Sequence, residues 1–445
     1  MPNTASTQTA PLTYRSIINK AWPVMLANTA LPILGLVDTT IVGRWGETTD
    51  LAALAIGTLA LNVIIWNFGF LRMSTTGFIA QAYGRDDTLL KIQTIVRASA
   101  IALFIAVALM AFSAPLSRAA LFILAPPEQI HNAAHQYITL RLWAAPASLI
   151  NIVISGYLIG IGHTRLLLVL QFFMNATNAL LDITFVKVFN MGVEGIALGT
   201  LIAEYLTVII GVTWFLKTQL PATTHQHLAR TLWQQSALLA LLQSNRDIWL
   251  RTLFLLAGFI GFTHFSGQYG AEQLAANHIL LQLISFSAFF LDGYANVTEA
   301  YIGKAIGQKS KQGFIDAIQK TSVLALATAI ALAGFFMLSG QFIIPAITDI
   351  RAVQTLALLY LPFAATYIAF SCGAFQLDGI FIGANGSAAL RNASILSTSI
   401  PFTFWAWLSP PWGMQGLWGM FIVFVILRAV FLGGYLPRLT RDNFA

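Results

Sequence analysis

Leu31-Pro32-Ile33-Leu34-Gly35-Leu36-Val37-Asp38-Thr39-Thr40-Ile41-Val42-Gly43 is, with its flanks, an apolar run long enough to cross a bilayer. It holds a carboxylate, Asp38, and a proline, Pro32, and a second proline, Pro23, stands upstream. An ionised aspartate at membrane depth costs about 2.5–3.5 kcal/mol on insertion scales. A chain that keeps one there must turn it inward, neutralise it or use it. The remaining sequence reads as the housing for this group and for a second intramembrane acid, Asp182.

The 445 residues are 57% hydrophobic and 9% charged, with a mean hydropathy of +0.74. Soluble domains are about 25% charged, so the chain reads as an all-α polytopic membrane protein. Apolar spans fall at roughly 21–43, 51–80, 95–114, 136–161, 165–188 and 194–216, then at 248–267, 274–302, 320–340, 354–384, 390–409 and 414–437. That predicts twelve transmembrane helices. The polar, uncharged Met1–Thr13 lacks the order of a cleaved signal, so the first span is expected to act as the insertion signal and stay. The single cysteine, Cys372, excludes an internal disulfide and reads as a small packing residue.

Charge placement sets the expected topology. Of the 24 Lys and Arg, Arg72, Arg141 and Arg428 fall inside spans, and Arg44, Arg118, Lys187 and Arg351 on one side. The other seventeen, Arg251 among them, collect on alternate loops and the termini. This steep positive-inside bias predicts that both termini are cytoplasmic. The net charge of +7 is thus a topology signal and does not point to nucleic acid.

Sliding the chain against itself by 223 residues maps six spans onto six without gaps. Thr75, Ala82 and Gly84 meet Thr298, Ala305 and Gly307; Gly156 and Gly160 meet Gly379 and Gly383. Cytoplasmic loops fall on cytoplasmic loops, so the repeats are parallel. The expected architecture is an N-lobe (1–216), a cytoplasmic linker (217–247) and a C-lobe (248–445), two six-helix lobes around a central cavity. Within the linker, Leu228 to Leu239 spaces its apolar residues as an amphipathic helix lying on the membrane face.

Gln171, Asn175, Asn178 and Asp182 form a polar stripe on one helical face, which must meet protein or water. The Asn178 amide can donate to an ionised Asp182 or accept from a protonated one. Asp38 has Leu34, Gly35, Ile41 and Val42 as helical neighbours, an apolar setting that disfavours its charged form and suits it to load and unload a proton. At the 223 shift Asp38 meets Gly261 and Asp182 meets Trp405, so the acidic site belongs to the first half alone.

Phe70-Leu71-Arg72-Met73-Ser74-Thr75-Thr76-Gly77, followed by Ala80-Gln81-Ala82-Tyr83-Gly84, resembles the second-helix signature of the DinF branch of the MATE (multidrug and toxic compound extrusion) transporters. The pattern Pro32…Val37-Asp38…Val42-Gly43 and Leu377-Asp378-Gly379-Ile380-Phe381-Ile382-Gly383-Ala384 resemble it too. The likeness covers essentially the whole chain. It implies that Asp38 is a proton-coupling residue, that Asn178 and Asp182 belong to an N-lobe cation site with Tyr137 and Thr200, and that the first helix bends at its prolines. Pro23 and Pro32 break the backbone ladder and can supply that hinge.

Other intramembrane polar groups carry open alternatives. Asp378 and Asp292 either add a second site or hydrogen-bond across helices. Arg72 is expected to pair with a carboxylate or carbonyls near the lobe interface. Glu204 and Glu299 are either cavity acids or helix-end groups that snorkel. His264 and His278 lack metal-ligand spacing and read as interhelical hydrogen-bonders. Phe68, Phe70, Phe286, Phe289 and Phe290 are candidate substrate contacts.

The chain contains no phosphate-cradling Gly-x-x-x-x-Gly-Lys-Ser/Thr loop, and no hydrolase or metalloprotease motif, so it does not read as an ATP-driven pump or an enzyme. The expected function is a monomeric, proton-coupled antiporter of the bacterial inner membrane that exports amphipathic, often cationic compounds by alternating access. It needs no cofactor beyond H+ as coupling ion. Na+ coupling stays open, since Asp, Asn, Thr and Tyr oxygens can coordinate Na+. The alternative is a lipid-linked saccharide flippase of similar two-lobed fold, which would want a strongly basic cavity.

Overall fold

The sequence turns back on itself through short polar connections, and each connection ends one long helix and starts the next. The computed structural model describes residues 12–219, 232–408 and 412–444. The first half comprises α1 (Tyr14–Trp45), α2 (Thr48–Trp66), α3 (Phe70–Gly84), α4 (Thr88–Ala111), α5 (Ser113–Leu124), α6 (Glu128–Leu142), α7 (Ala145–Gly160), α8 (Thr164–Ile183) and α9 (Val193–Gln219). The second comprises α10 (Gln235–Gly267), α11 (Ala271–Gly307), α12 (Lys311–Ile347), α13 (Arg351–Gly383), α14 (Ser387–Leu408) and α15 (Gly413–Phe444). No strand occurs among the described residues.

Ten stretches, α2 and α3 counted together, are long and apolar enough to cross a bilayer. α6 and α7, which meet at 49°, make an eleventh. The remaining expected span, 390–409, is helical as α14, but Arg391, Asn392, Ser394, Ser397 and Thr398 dilute its apolarity. The seventh span begins at Gln235, well before the expected 248. Gln235–Leu239, expected in a separate surface helix, are therefore the first turns of α10; Leu228–Thr231 lie outside the described residues. Arg251, expected in a loop, is consequently buried inside α10.

The repeat is visible in backbone detail. After α3 the Asp87 amide donates back to Ala82 O at 3.0 Å, and after α11 the Ser310 amide donates to Ala305 O at 2.9 Å. Each is the six-residue closure of a Schellman motif, with Asp86 (φ 56°) and Lys309 (φ 55°) in the left-handed region. The same two side chains then cap the next helices, Asp87 accepting from Leu90 N and Ser310 from Gly313 N. The α7–α8 and α13–α14 turns match likewise, His163 N to Leu158 O and Gly386 N to Phe381 O.

Lipid tails are as apolar as leucine, so helix association rests on close packing rather than on water exclusion. A Cβ on Gly156 would lie 2.6 Å from Arg72 O, and one on Gly379 would lie 2.5 Å from Ala295 O. Arg72 and Ala295 are themselves 223 apart, so the same helix crossing is built twice. The second half adds a ring-on-ring core around Phe421, stacked on Phe262, Tyr367 and Phe424 at 4.4, 4.6 and 5.8 Å between centroids.

The two halves meet at the end of the bundle where α3 and α11 finish. There a Cβ on Gly84 would come 2.2 Å from Lys304 O, and one on Gly307 would come 2.2 Å from Gln81 O. Gln81 Nε2 donates to Gly383 O at 3.1 Å, and Arg72 bridges to Glu299 at 3.2 Å. Toward the opposite end, α2 and α6 pack on each other and on α9, within their own half.

Candidate functional site

Asp38 sits on the inner face of α1, 8% exposed. Asp182 and Asn178, one turn apart on α8, are fully buried, as the stripe requires. Tyr137 reaches in from α6 and Thr200 from α9, both buried. Asn178 Nδ2 donates to Thr200 Oγ1 at 3.0 Å, and Thr200 in turn donates to Ile196 O at 2.9 Å. The Tyr137 hydroxyl lies 3.5 Å from Thr58 Oγ1, and its ring rests on Gly57, where a Cβ would meet Cδ1 at 2.2 Å. All five sequence candidates thus converge on one place in the first half.

The Asp38 and Asp182 carboxyls face each other. Asp38 Oδ1 and both Asp182 oxygens are buried, and beyond each other and the Asn178 amide one turn away they have no protein donor. Asp182 Oδ1 is pressed onto Gly199, where a Cβ would lie 2.0 Å away. Just past Asp182 the helix widens into a π-turn, Thr184–Val188, a local irregularity that recurs at functional sites.

Asn175, also on the stripe, donates to Ala30 O of α1 at 3.2 Å, two residues before Pro32. Gln171 Nε2 extends the chain to Asn175 Oδ1 at 3.5 Å. Pro23 and Pro32 both lie inside α1, which is unbroken. Each proline lacks an amide and so leaves the carbonyl four residues earlier without its ladder donor.

Arg141 was not among the site candidates. Its guanidinium donates to Glu204 Oε1 at 3.1 Å, and the Ser148 hydroxyl holds the other Glu204 oxygen. From there Arg141 faces Tyr137, Asp38 and Asp182 electrostatically. Glu204 is therefore a buried partner, neither a free cavity acid nor a snorkelling one. The signal was present in the spacing: Tyr137/Arg141, Asn178/Asp182 and Thr200/Glu204 are each four apart, one turn on one face.

A different cluster lies in the second half and takes in Arg72 of the first across the interface. Asp378 Oδ2 accepts from both Arg251 and Arg428. Glu299 is the partner of Arg72, so it too is a buried ion-pair member and not a snorkelling acid. Asp292 faces Arg72, Arg251 and Arg428. Three arginines stand against three acids, so the formal charges balance. His264 and His278 bond along their own helices to Gln268 and Gln282, not between helices as expected. Phe70 is core, whereas Phe286 is exposed and packs on Phe290.

Comparison with known proteins follows from this geometry. The family model MatE matches residues 23–184 and 248–405, one block in each half. DNA damage-inducible protein F of Escherichia coli (strain K12) is 32% identical over 435 residues, covering 96% of this chain and 93% of that one. Multidrug resistance protein NorM of Vibrio vulnificus (strain YJ016) is 25% identical, covering 96% of each. Among solved structures, the Vibrio cholerae MATE transporter VcmN in its bent form superposes with a TM-score of 0.85 at 19% identity over 97% of both chains. A MOP superfamily transporter from Pyrococcus furiosus does so with 0.85 at 18% over 96% of both.

Proposed function

The chain belongs to the MatE family of multidrug and toxic compound efflux transporters, which are not enzymes, and on that premise we propose that it is a proton-coupled antiporter whose N-half aspartates carry the proton. Its substrates would be amphipathic, often cationic compounds leaving the cytoplasm. The observation that carries this reading is the facing pair Asp38–Asp182, three of whose oxygens are buried with no cationic group bonded to them. Two like charges in a low-dielectric site repel strongly, and a single proton held between them removes that repulsion. With the proton gone, a cation is the natural neutraliser. Proton and cationic substrate then exclude one another, which is the logic of antiport.

The change must reach the backbone to move the halves. Asp38 lies on α1, and α1 is tied to α8 by the Asn175 bond beside Pro32. Loading or unloading the pair alters how α1 seats on α8, and the proline-interrupted ladder gives α1 the freedom to respond. With both termini cytoplasmic, the end closed by Gly84 and Gly307 is the cytoplasmic one. Tyr137, Thr200 and Asn178 act as the polar wall of the site, and Arg141 limits how much negative charge it can hold.

Dye efflux from proteoliposomes under an imposed pH gradient, without sodium, tests the reading on wild type and Asp38→Asn. Transport that follows the pH gradient and vanishes in the variant is the expected result. Transport that persists in the variant removes Asp38 from coupling. Transport driven only by a sodium gradient replaces the proton with Na+.

A further inference from the structure

A cavity of about 490 Å³ opens between the first turns of α1 and the α7–α8 turn, far from the aspartate pair. Its wall includes Lys20, His163 and Arg165, together with Ser16, Asn19 and Thr164, and no acidic residue. Among the described residues neither Lys20 nor Arg165 has a carboxylate within salt-bridge distance. The Lys20 ammonium lies over the Tyr301 ring at 4.8 Å and against Gly162, where a Cβ would sit only 2.6 Å from Nζ. Lys304 adds a second ammonium within electrostatic reach. Burial and the Lys20 charge together hold the His163 imidazole below its ordinary value, as expected beside uncompensated positive charge. The first turn of α8, a 20-residue helix, begins in this wall, adding its partial positive charge.

The fold does not require this chemistry. At the 223 shift Ser16, Asn19, Lys20, His163, Thr164 and Arg165 become Leu239, Leu242, Gln243, Gly386, Ser387 and Ala388. The same turn is thus built in the second half without any of the three basic groups.

The position is that of a lipid headgroup. Ile18, Trp22 and Leu26, one turn apart on α1, are exposed, and so are Val169 and Phe172 on α8. In a membrane these stripes meet acyl chains, while Tyr14 and Trp22 are exposed aromatics at the end of the span, where interfacial rings sit. We propose that this pocket binds the phosphate of an anionic phospholipid headgroup, with Lys20 and Arg165 as its charge partners and the acyl chains running along α1 and α8. Basic pockets between helices are a recurrent form of such recognition. The assignment is independent of the coupling ion and of Asp38.

Native mass spectrometry of the full chain with dioleoyl phosphatidylglycerol, dioleoyl phosphatidylcholine or inorganic phosphate tests it. Each basic side chain near a membrane anion contributes about 1 kcal/mol, so Lys20→Gln with Arg165→Gln should weaken phosphatidylglycerol binding about 25-fold, and exposed Arg165→Gln alone about fivefold. Lys20→Arg with Arg165→Lys should retain binding, as should Lys309→Gln with Lys311→Gln at the same end of the bundle. Equal binding of the two lipids, or phosphatidylglycerol binding untouched by Lys20→Gln with Arg165→Gln or by Arg165→Gln alone, overturns the proposal. Saturable inorganic phosphate that phosphatidylglycerol does not displace assigns the pocket to a soluble anion and overturns the lipid.

Discussion

In the first half two buried acids face each other with no cationic group bonded to three of their oxygens, while in the second half Asp378 is gripped by two arginines and Glu299 by a third. The two halves share helix crossings and turn geometry, yet their chemistry has been exchanged position by position. Asp38 corresponds to Gly261, against which Phe402 packs at 2.7 Å from an added Cβ, and Asp182 to Trp405. In the other direction Asp378, Arg251 and Arg428 correspond to Ser155, Asn28 and Tyr205. A carboxylate pair short of donors can change its charge at little structural cost. A carboxylate held by two buried guanidinium groups cannot. On the proposed reading, one half carries adjustable charge and the other carries fixed charge, on the same scaffold.

The largest expected effect breaks the fixed side. Asp378→Asn takes from two buried arginines the carboxylate they both contact and leaves Asp292 alone to face them, and breaking a buried pair this way costs about 3–5 kcal/mol. A thermal-unfolding midpoint unchanged from wild type would end the distinction between the halves. Asp182→Asn should do the reverse, abolishing pH-driven dye efflux while shifting stability by less than about 1 kcal/mol, since it removes a like-charge contact and no ion pair. Gly84→Val forces a side chain onto the Lys304 carbonyl, and overpacking of this kind costs roughly 1–3 kcal/mol. Spin labels at the ends of α3 and α11 should then report a larger separation. The smallest effect falls on the strap to α1. Asn175→Ala loses its one hydrogen bond to α1, worth about 1 kcal/mol, and should change the ratio of α1 positions about fivefold in label distances between α1 and α8.

Much of the fold was legible because its rules are local. Asp87 and Ser310 cap their helices wherever the chain goes next, and Asp86 and Lys309 close the preceding turns at the same offset. The polar stripe on α8 was legible because residues four apart share a face. Arg251 was misread for the converse reason. Hydropathy alone places the run Asn245-Arg246-Asp247 outside the membrane, and the helix that carries Arg251 inward is stabilised by partners from elsewhere, Ser74 on Asn245 and Asp378 on Arg251. Arg141 reads in the sequence only as a basic group inside a span, because its partner, Glu204, is 63 residues away.

What the sequence determined by itself is membrane residence, helix content, the 223-residue parallel repeat and the presence of Asp38 and Asp182 inside first-half spans. These follow from composition and from hydrogen-bonding demands met within a few residues. Only the tertiary structure decided which charges neutralise which, at which end the halves close, and that Lys20 and Arg165 share one cavity. Coulomb energy depends on separation in space and on burial, and neither is set by distance along the chain.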